Sequence, residues 1–323
     1  MEKINILITS AGRRVSLVNF FKKEAKEQNI KVYCSDMNPE LSSACQVADN
    51  FFKVSRVSSV NYINELLDIC QTNGIKLIIP TIDTELAILA KNTNLFSSYG
   101  IIVLVSDISF IEKCRNKNLI HNFFDSINLK RATEFELDNL QFPLFIKPFD
   151  GSRSQGIHLV NDYSELTNEM VDNNKNMFLE YFSPEEYKEY TVDIYFNISS
   201  KILCVVPRER ITIRDGEVNK ACTRKNEIID FVKSTFKNVT GLRGCITLQV
   251  FKHISKTNIV GIEINPRFGG GFPLSYLSGA NFPKWIIREY ILDEIVDSYT
   301  DSWEDNMLML RYDAEIIKHG YTN

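Results

Sequence analysis

The chain has 323 residues, 44% of them hydrophobic, and a formal net charge of −4. That length exceeds the needs of one small core and fits one large domain or two. The mildly acidic balance argues against a broad nucleic-acid footprint, and no apolar run approaches the ~20 residues that span a bilayer. No signal-peptide pattern precedes the first strand-like run, so a cytoplasmic location is expected. Scattered cysteines without a Cys-x-x-Cys pair, and isolated histidines, read as buried thiols and not as disulfides or zinc ligands.

Residues 4–9 form an apolar run suited to a buried parallel strand, and residues 10–14 turn into an amphipathic helix reaching about Gln28. A strand at 31–35, a helix at 60–73, a strand at 76–81, a helix at 83–94 and a strand at 101–106 follow. Such alternation implies a parallel sheet with helices on both faces. Gly12 is the single glycine of the first turn, so the Gly-x-Gly-x-x-Gly fingerprint is absent and NAD binding is rejected. Gly12, Arg13 and Arg14 either hold an anionic substrate group at a helix N-terminus or begin a solvated helix.

The pattern changes at residues 107–109, with a helix from Ser109 to about Asp125 and a short strand at 130–133. Residues 143–160 read as strand, loop, strand. Lys147 closes the first of these just before Pro148, and the Gly- and Ser-rich loop 150–156 offers backbone donors to phosphates. A flexible hairpin tip with a snorkelling lysine is the alternative. A polar helix at 162–174 leads to a strand at 177–182, whose exit, Glu180, Tyr181 and Phe182, can wall a purine; Glu180 and Glu189 can accept from ribose hydroxyls. Strands at 190–196 and 201–207 form an antiparallel pair in which Asp193 reads as outward-facing. In the basic stretch that follows, Arg208 and Arg210 are expected at the site because they directly follow a strand end. A helix at 225–238, a strand at 244–251, a helix at 273–293 and a terminal strand at 307–316 complete the chain.

The segment 261–271 is the centre of the reading. Glu263 and Asn265 leave one face of a strand two residues apart, Pro266 ends the ladder, and Arg267 places a fixed cation beyond them. Gly269, Gly270 and Gly271 read as bare backbone open to a ligand. A carboxylate and an amide oxygen suit Mg²⁺ held jointly with nucleotide phosphates, although a plain strand end with a Gly-rich loop has the same spelling. Pairing with strand 244–251 brings Gln249 near Glu263 and Asn265.

The ordered set Lys117, Lys147 with its loop, Glu180, Glu189, Gln249 and Glu263-x-Asn265-Pro266-Arg267 resembles the ATP-grasp superfamily, and within it one synthetase unit of the carbamoyl-phosphate synthase large subunit. The resemblance implies an α/β parallel-sheet (pre-ATP-grasp) domain over 1–108, then an α+β ATP-grasp domain over 109–323. The latter divides into subdomains at 109–182, with phosphate loop 150–156, and 183–323, with the metal site. It further implies that Lys117, Lys147, Gly151, Ser152, Ser154 and Gly156 contact ATP phosphates. Glu180, Tyr181 and Phe182 would line the adenine pocket and Glu189 take the ribose. Gln249, Glu263 and Asn265 would hold two Mg²⁺ ions, exchangeable for Mn²⁺. Arg267 would serve the transferring phosphoryl group and the acyl intermediate; Lys147, with Arg208 and Arg210 read from their place after a strand end, completes the expected catalytic set. Tyr181 departs from the lysine common at that position, and the loop is less glycine-rich than in many members.

The expected activity is a carboxylate–amine ligase working through an acyl phosphate. Its partners would be small-molecule acids and amines, with no nucleic acid and no membrane; a homodimer is one option, and the sequence leaves the oligomeric state open. Gly12, Arg13, Asp83 and Glu85, at strand C-terminal ends, are expected to help hold the acceptor. A phosphotransferase or carboxylating enzyme on the same fold, and a non-catalytic ATP-binding regulator, are the competing readings; a Rossmann oxidoreductase is the weakest.

Overall fold

The structure is a computed structural model and describes residues 4–149, 156–214 and 216–321. Its first part is an all-parallel sheet of β1 (Asn5–Thr9), β2 (Lys31–Asp36), β3 (Asn50–Lys53), β4 (Ile75–Pro80) and β5 (Ile102–Val103), in the order β3-β2-β1-β4-β5. β1 is buried along its whole length, so it reads as a continuous apolar run with no alternation. β3, an edge strand of only Asn-Phe-Phe-Lys, has no sequence signal long enough to mark it and was not expected. β5 is much shorter than the run 101–106.

Past Val103 two helices, Ile108–Arg115 and Lys117–Ser126, replace the single helix expected. The break falls at Asn116, which has left helical dihedrals and whose side chain accepts from Leu119 N at 3.2 Å to begin the second helix. After β6 (Lys130–Arg131), a small antiparallel sheet forms from β7 (Leu144–Pro148), β8 (His158–Val160) and β9 (Asn176–Glu180), in the order β8-β7-β9. The polar helix expected at 162–174 is instead a 3₁₀ turn, Tyr163–Glu165, and a short helix, Asn168–Asp172. Asp162 and Thr167 each cap their own turn and so split the segment.

The large sheet has the order β15-β12-β11-β10-β13-β14-β6, from β10 (Tyr187–Phe196), β11 (Ile202–Arg214), β12 (Glu217–Thr223), β13 (Gly244–His253), β14 (Ile259–Asn265) and β15 (Leu308–Leu310). β11 runs on through the basic stretch that was expected to lie beyond a strand end. The expected terminal strand contracts to β15. Residues 273–293 form two helices, Phe272–Leu277 and Phe282–Tyr290. Gly279, at φ 115, turns the chain between them, and Asn281 caps the second on Lys284 N.

One hydrophobic core joins the parallel sheet to the last two helices: Ile6, Phe21 and Val32 share it with Phe268, Phe282 and Trp303. Phe21 meets Phe268 edge-on at 5.9 Å, and Phe20 stacks on Tyr276 at 3.8 Å. A second core lies between the large sheet and the helices 117–126 and 228–235. The free cysteines are buried, except Cys114, which is half-buried. Among the described residues no helix is long and apolar enough to cross a membrane.

Candidate active site

The small sheet faces the middle of the large sheet across a cavity of about 380 Å³. From the small sheet come Phe145, Lys147, Leu179 and the exit of β9, Glu180 to Phe182. Glu189, Arg210, Gln249, Phe251 and Glu263 come from four adjacent strands of the large sheet. Strand register explains the second group. Gln249 lies opposite Glu263 on β14 and one step diagonal from Glu189, which faces Phe251 across β10 and β13.

The polar groups of this wall form a chain. Gln249 Nε2 donates to Glu189 Oε1, and Arg210 Nε lies 3.2 Å from the same oxygen, as an ion pair without hydrogen-bond alignment. Arg210 is further held by Thr191 Oγ1, which accepts from its Nη1 at 3.3 Å. Burial raises the Glu189 carboxyl above its ordinary range, with Glu263 adding to the effect and Arg210 and Gln249 opposing it. On the next strand Asn265 Nδ2 donates to Glu263 Oε1 at 2.9 Å, and Arg267 Nη2 donates to Asn265 Oδ1 at 3.2 Å.

Arg267 turns away from the cavity wall toward the first sheet. It grips Asp83 through Nη2–Oδ2 at 2.6 Å and Nε–Oδ1 at 3.1 Å, and donates to Phe268 O at 3.1 Å. Arg14 packs nearby, its Nη2 donating to Thr81 O at 2.9 Å; burial and the Arg267 charge lower its pKa to about 10.

Several expectations are revised by these positions. Arg208 does not reach the cavity: it is fully buried in a pair with Asp193, at 2.9 Å (Nε–Oδ2) and 3.1 Å (Nη2–Oδ1). Asp193 is accordingly not outward-facing, and it also accepts from Ser275 Oγ at 2.6 Å and Thr247 Oγ1 at 3.2 Å. Gly269 and Gly271 are buried against side chains and are not bare. A Cβ on Gly271 would lie 2.2 Å from Arg208 Nη1, and one on Gly269 3.2 Å from Thr247. Glu85 is buried and saturated, accepting from Thr81 N, Ile82 N, Ser10 Oγ and Tyr62 OH, so it has no oxygen to offer an acceptor. Arg13 is largely exposed, 3.7 Å from Glu217, and Gly12 N donates to Asp36 Oδ2 at 3.1 Å.

Of the remaining site residues, Glu180 lines the cavity while its Oε2 accepts from Thr133 Oγ1 at 2.9 Å. Gly156 has φ 68 and sits against Pro148. Gly151, Ser152 and Ser154 lie outside the described residues, as does the side chain of Lys117, which opens its helix. Sequence reasoning did not select His121 or Ile213, which also line the cavity; a half-apolar helix and a strand tip carry no motif that would mark them.

Residues 6–104 match a family profile described as the PylC-like, N-terminal domain, and residues 174–311 one described as ATP-grasp in the biosynthetic pathway with Ter operon. No curated protein matches the chain by sequence. Among solved structures, the biotin carboxylase domain of Hydrogenobacter thermophilus 2-oxoglutarate carboxylase, in complex with MgADP, ADP and bicarbonate, is similar at a TM-score of 0.71. Identity is 15%, over 94% of this chain and 73% of that one. N5-carboxyaminoimidazole synthetase from Staphylococcus aureus, complexed with ADP, reaches 0.69 with 16% identity, over 91% of this chain and 79% of that one. Biotin carboxylase from Campylobacter jejuni, in a β-γ-ATP complex, reaches 0.69 with 12% identity, over 94% and 74%. At such identities the likeness is one of fold, and the fold agrees with the two profiles: a parallel-sheet N-terminal domain is followed by a domain of the ATP-grasp fold, whose residues 174–311 match the ATP-grasp profile.

Proposed function

We propose that the chain is an ATP-dependent ligase that activates a carboxylic acid as an acyl phosphate and joins it to an amine. The observation that carries this reading is the single cavity in which Lys147 and Glu180 to Phe182 face Glu189, Gln249 and Glu263. The residues fit the groups required. Phe145, Leu179, Phe182 and Phe251 give apolar walls for a purine, and the volume of about 380 Å³ lies in the range of small-molecule sites. Lys147 supplies a cation for phosphate oxygens. The carboxylate of Glu263 and the amide oxygens of Gln249 and Asn265 are hard donors suited to Mg²⁺. When bound, the metal would polarise the phosphoryl oxygens. We also propose a division at 108/109, since every residue lining the cavity lies beyond it.

In the first step a carboxylate oxygen attacks the γ-phosphorus in line and the bond to ADP breaks. In the second the amine nitrogen attacks the acyl carbon, the carbon–oxygen bond to phosphate breaks, and the amine proton leaves to solvent. Lys147, a cation that lines the cavity with Arg210, neutralises charge on the group in transit, while Arg267, held by Asp83 away from the cavity wall, fixes Asn265 Oδ1, so positioning and electrostatics carry the catalysis. A second reading takes bicarbonate as the acid; it is favoured by neighbours named as carboxylases, one with bicarbonate bound.

The test is Mg²⁺-dependent release of ADP and phosphate from ATP across pools of carboxylic acids and amines, with a bicarbonate arm and Glu263→Ala as control. Release that needs both an acid and an amine, and disappears in Glu263→Ala, supports the ligase. Release with bicarbonate and amine alone selects the second reading. Tight nucleotide binding without release from any pool overturns both in favour of a regulator.

A further inference from the structure

The parallel sheet carries an opening of its own. A crevice of about 940 Å³ lies at the C-terminal ends of β1, β2, β3 and β4, and it shares no wall residue with the nucleotide cavity. The strand order explains why it exists. From β1 the chain builds outward to β2 and β3, then returns to β4 on the other side, so the two connections diverge and leave a gap above the strand ends.

The floor of this gap is strained and held. Ser10, the residue after β1, has φ 51, a left-handed conformation that costs a non-glycine residue free energy unless its surroundings fix it. Here Ser10 Oγ donates to Glu85 Oε2 at 2.9 Å, and Tyr62 OH donates to the same oxygen at 2.9 Å. Thr81 N and Ile82 N donate to the other oxygen, so a fully buried carboxylate ties three separate segments into one rigid base.

The rim is cationic, in a protein whose net charge is negative. Arg56, Lys91 and Arg115 stand around the opening. Arg56 and Arg115 have no ion-pair partner among the described residues, and Lys91 has only an exposed contact with Glu112 at 3.5 Å. The one acid of the wall, Asp36, is engaged in the turn: Oδ2 accepts from Gly12 N at 3.1 Å and Oδ1 from Asn38 N at 3.0 Å. Between rim and floor the wall mixes hydroxyls, Ser58 and Thr84, with apolar Val57 and Ile88.

We propose that this crevice is a second ligand site, for a small organic anion bearing a phosphate monoester or several carboxylates, held by Arg56, Arg115 and Lys91 above the Ser10–Glu85–Tyr62 base. Cationic side chains from three different elements converge there, as recognition of an anion requires, and the rigid base limits the entropy lost on binding. The apolar and hydroxyl surface between them asks for a carbon skeleton and not a bare ion. The site stands whether or not the ligation reading holds, because the nucleotide cavity contributes nothing to it.

The experiment is calorimetric titration of the full chain, without nucleotide, using ribose 5-phosphate, citrate, inorganic phosphate and neutral ribose. The same set is run on Arg56→Ala/Arg115→Ala, with the thermal midpoint of the ligand-free variant checking that its fold is intact. Both arginines are exposed, so the midpoint should not move. Ribose 5-phosphate or citrate should bind the wild type more tightly than ribose or inorganic phosphate and lose about tenfold in affinity in the variant. Which of the two binds decides between phosphate ester and polycarboxylate. Ribose binding as tightly as the charged probes, inorganic phosphate matching ribose 5-phosphate, no binding by any probe at millimolar concentration, or an unchanged affinity in the folded variant would each overturn the proposal.

Discussion

Asp83 and Arg267 are 184 residues apart in sequence and form a bidentate pair at 2.6 and 3.1 Å. Asp83 opens the helix after β4, and Arg267 closes the segment that carries Glu263 and Asn265. The pair therefore ties the end of the parallel sheet to the β14 wall of the cavity. Asp83→Asn keeps one acceptor and loses the charge, which loosens the guanidinium without removing it. Turnover of ATP should fall by about tenfold or more with little change in KM, since Arg267 orients Asn265 and through it Glu263, and a loosened guanidinium disturbs the transition state more than nucleotide binding. Steady-state kinetics decide: a raised KM at unchanged kcat would show that the pair serves binding alone.

The buried Asp193–Arg208 pair makes a different demand. Neither side chain touches solvent. Removing one partner, in Asp193→Asn or Arg208→Met, should cost about 3–5 kcal/mol in urea unfolding, because the survivor is left charged or unpaired in the interior. Replacing both together should cost less than the sum of the single changes. Additive losses would mean that the two residues do not act as a pair.

Glu263→Gln preserves shape and hydrogen-bonding reach but removes the one carboxylate of the three oxygen donors proposed to hold Mg²⁺. ADP titrated with and without Mg²⁺ should show a metal-dependent gain in affinity for the wild type, and the variant should lose about tenfold of it. Metal-free ADP affinity should stay level. A variant that retains the whole metal-dependent gain would place the ion elsewhere.

Glu85 predicts a pH dependence of stability. Burial raises its carboxyl above the ordinary 4.5, against the pull of its four donors. The folded chain thus retains a proton that the unfolded chain releases near pH 4.5, so this contribution is complete below that pH and is lost as the pH rises through the folded value. In Glu85→Gln the amide does not titrate, and the Ser10 and Tyr62 hydroxyls can rotate to accept from it. Relative to that variant, the wild type should lose unfolding free energy as pH climbs from 4.5 toward neutrality. Parallel stability curves for the two proteins would rule out the titration.

The cavity was legible wherever function is written along a single strand or its hairpin partner. Glu263 and Asn265 share a face because a strand alternates, and Gln249 joins Glu263 because antiparallel neighbours must pair. What failed was depth. Asp193 was read as outward-facing because the strands flanking it carry no local sign that β10 is covered on both faces. Arg208 was placed at a strand end because the basic residues after Pro207 look like a loop, although β11 continues to Arg214. These errors are one error, since each residue is the other's partner. The same pair misled the reading of Gly271, whose missing side chain makes room for Arg208 and not for a ligand.

The core that Phe21 and Phe20 share with Phe268 and Tyr276 bears on how such chains recombine. An exchange of the N-terminal sheet between two members of the superfamily, spliced in the stretch 104–108, would transplant half of an interior and leave its complement behind. Helices 272–277 and 282–290 would have to travel with it. Those helices in turn pack against Tyr195, Leu203 and Cys245 of the large sheet, so linear domain shuffling should yield insoluble chimaeras unless all the pieces that meet in this core come from one parent.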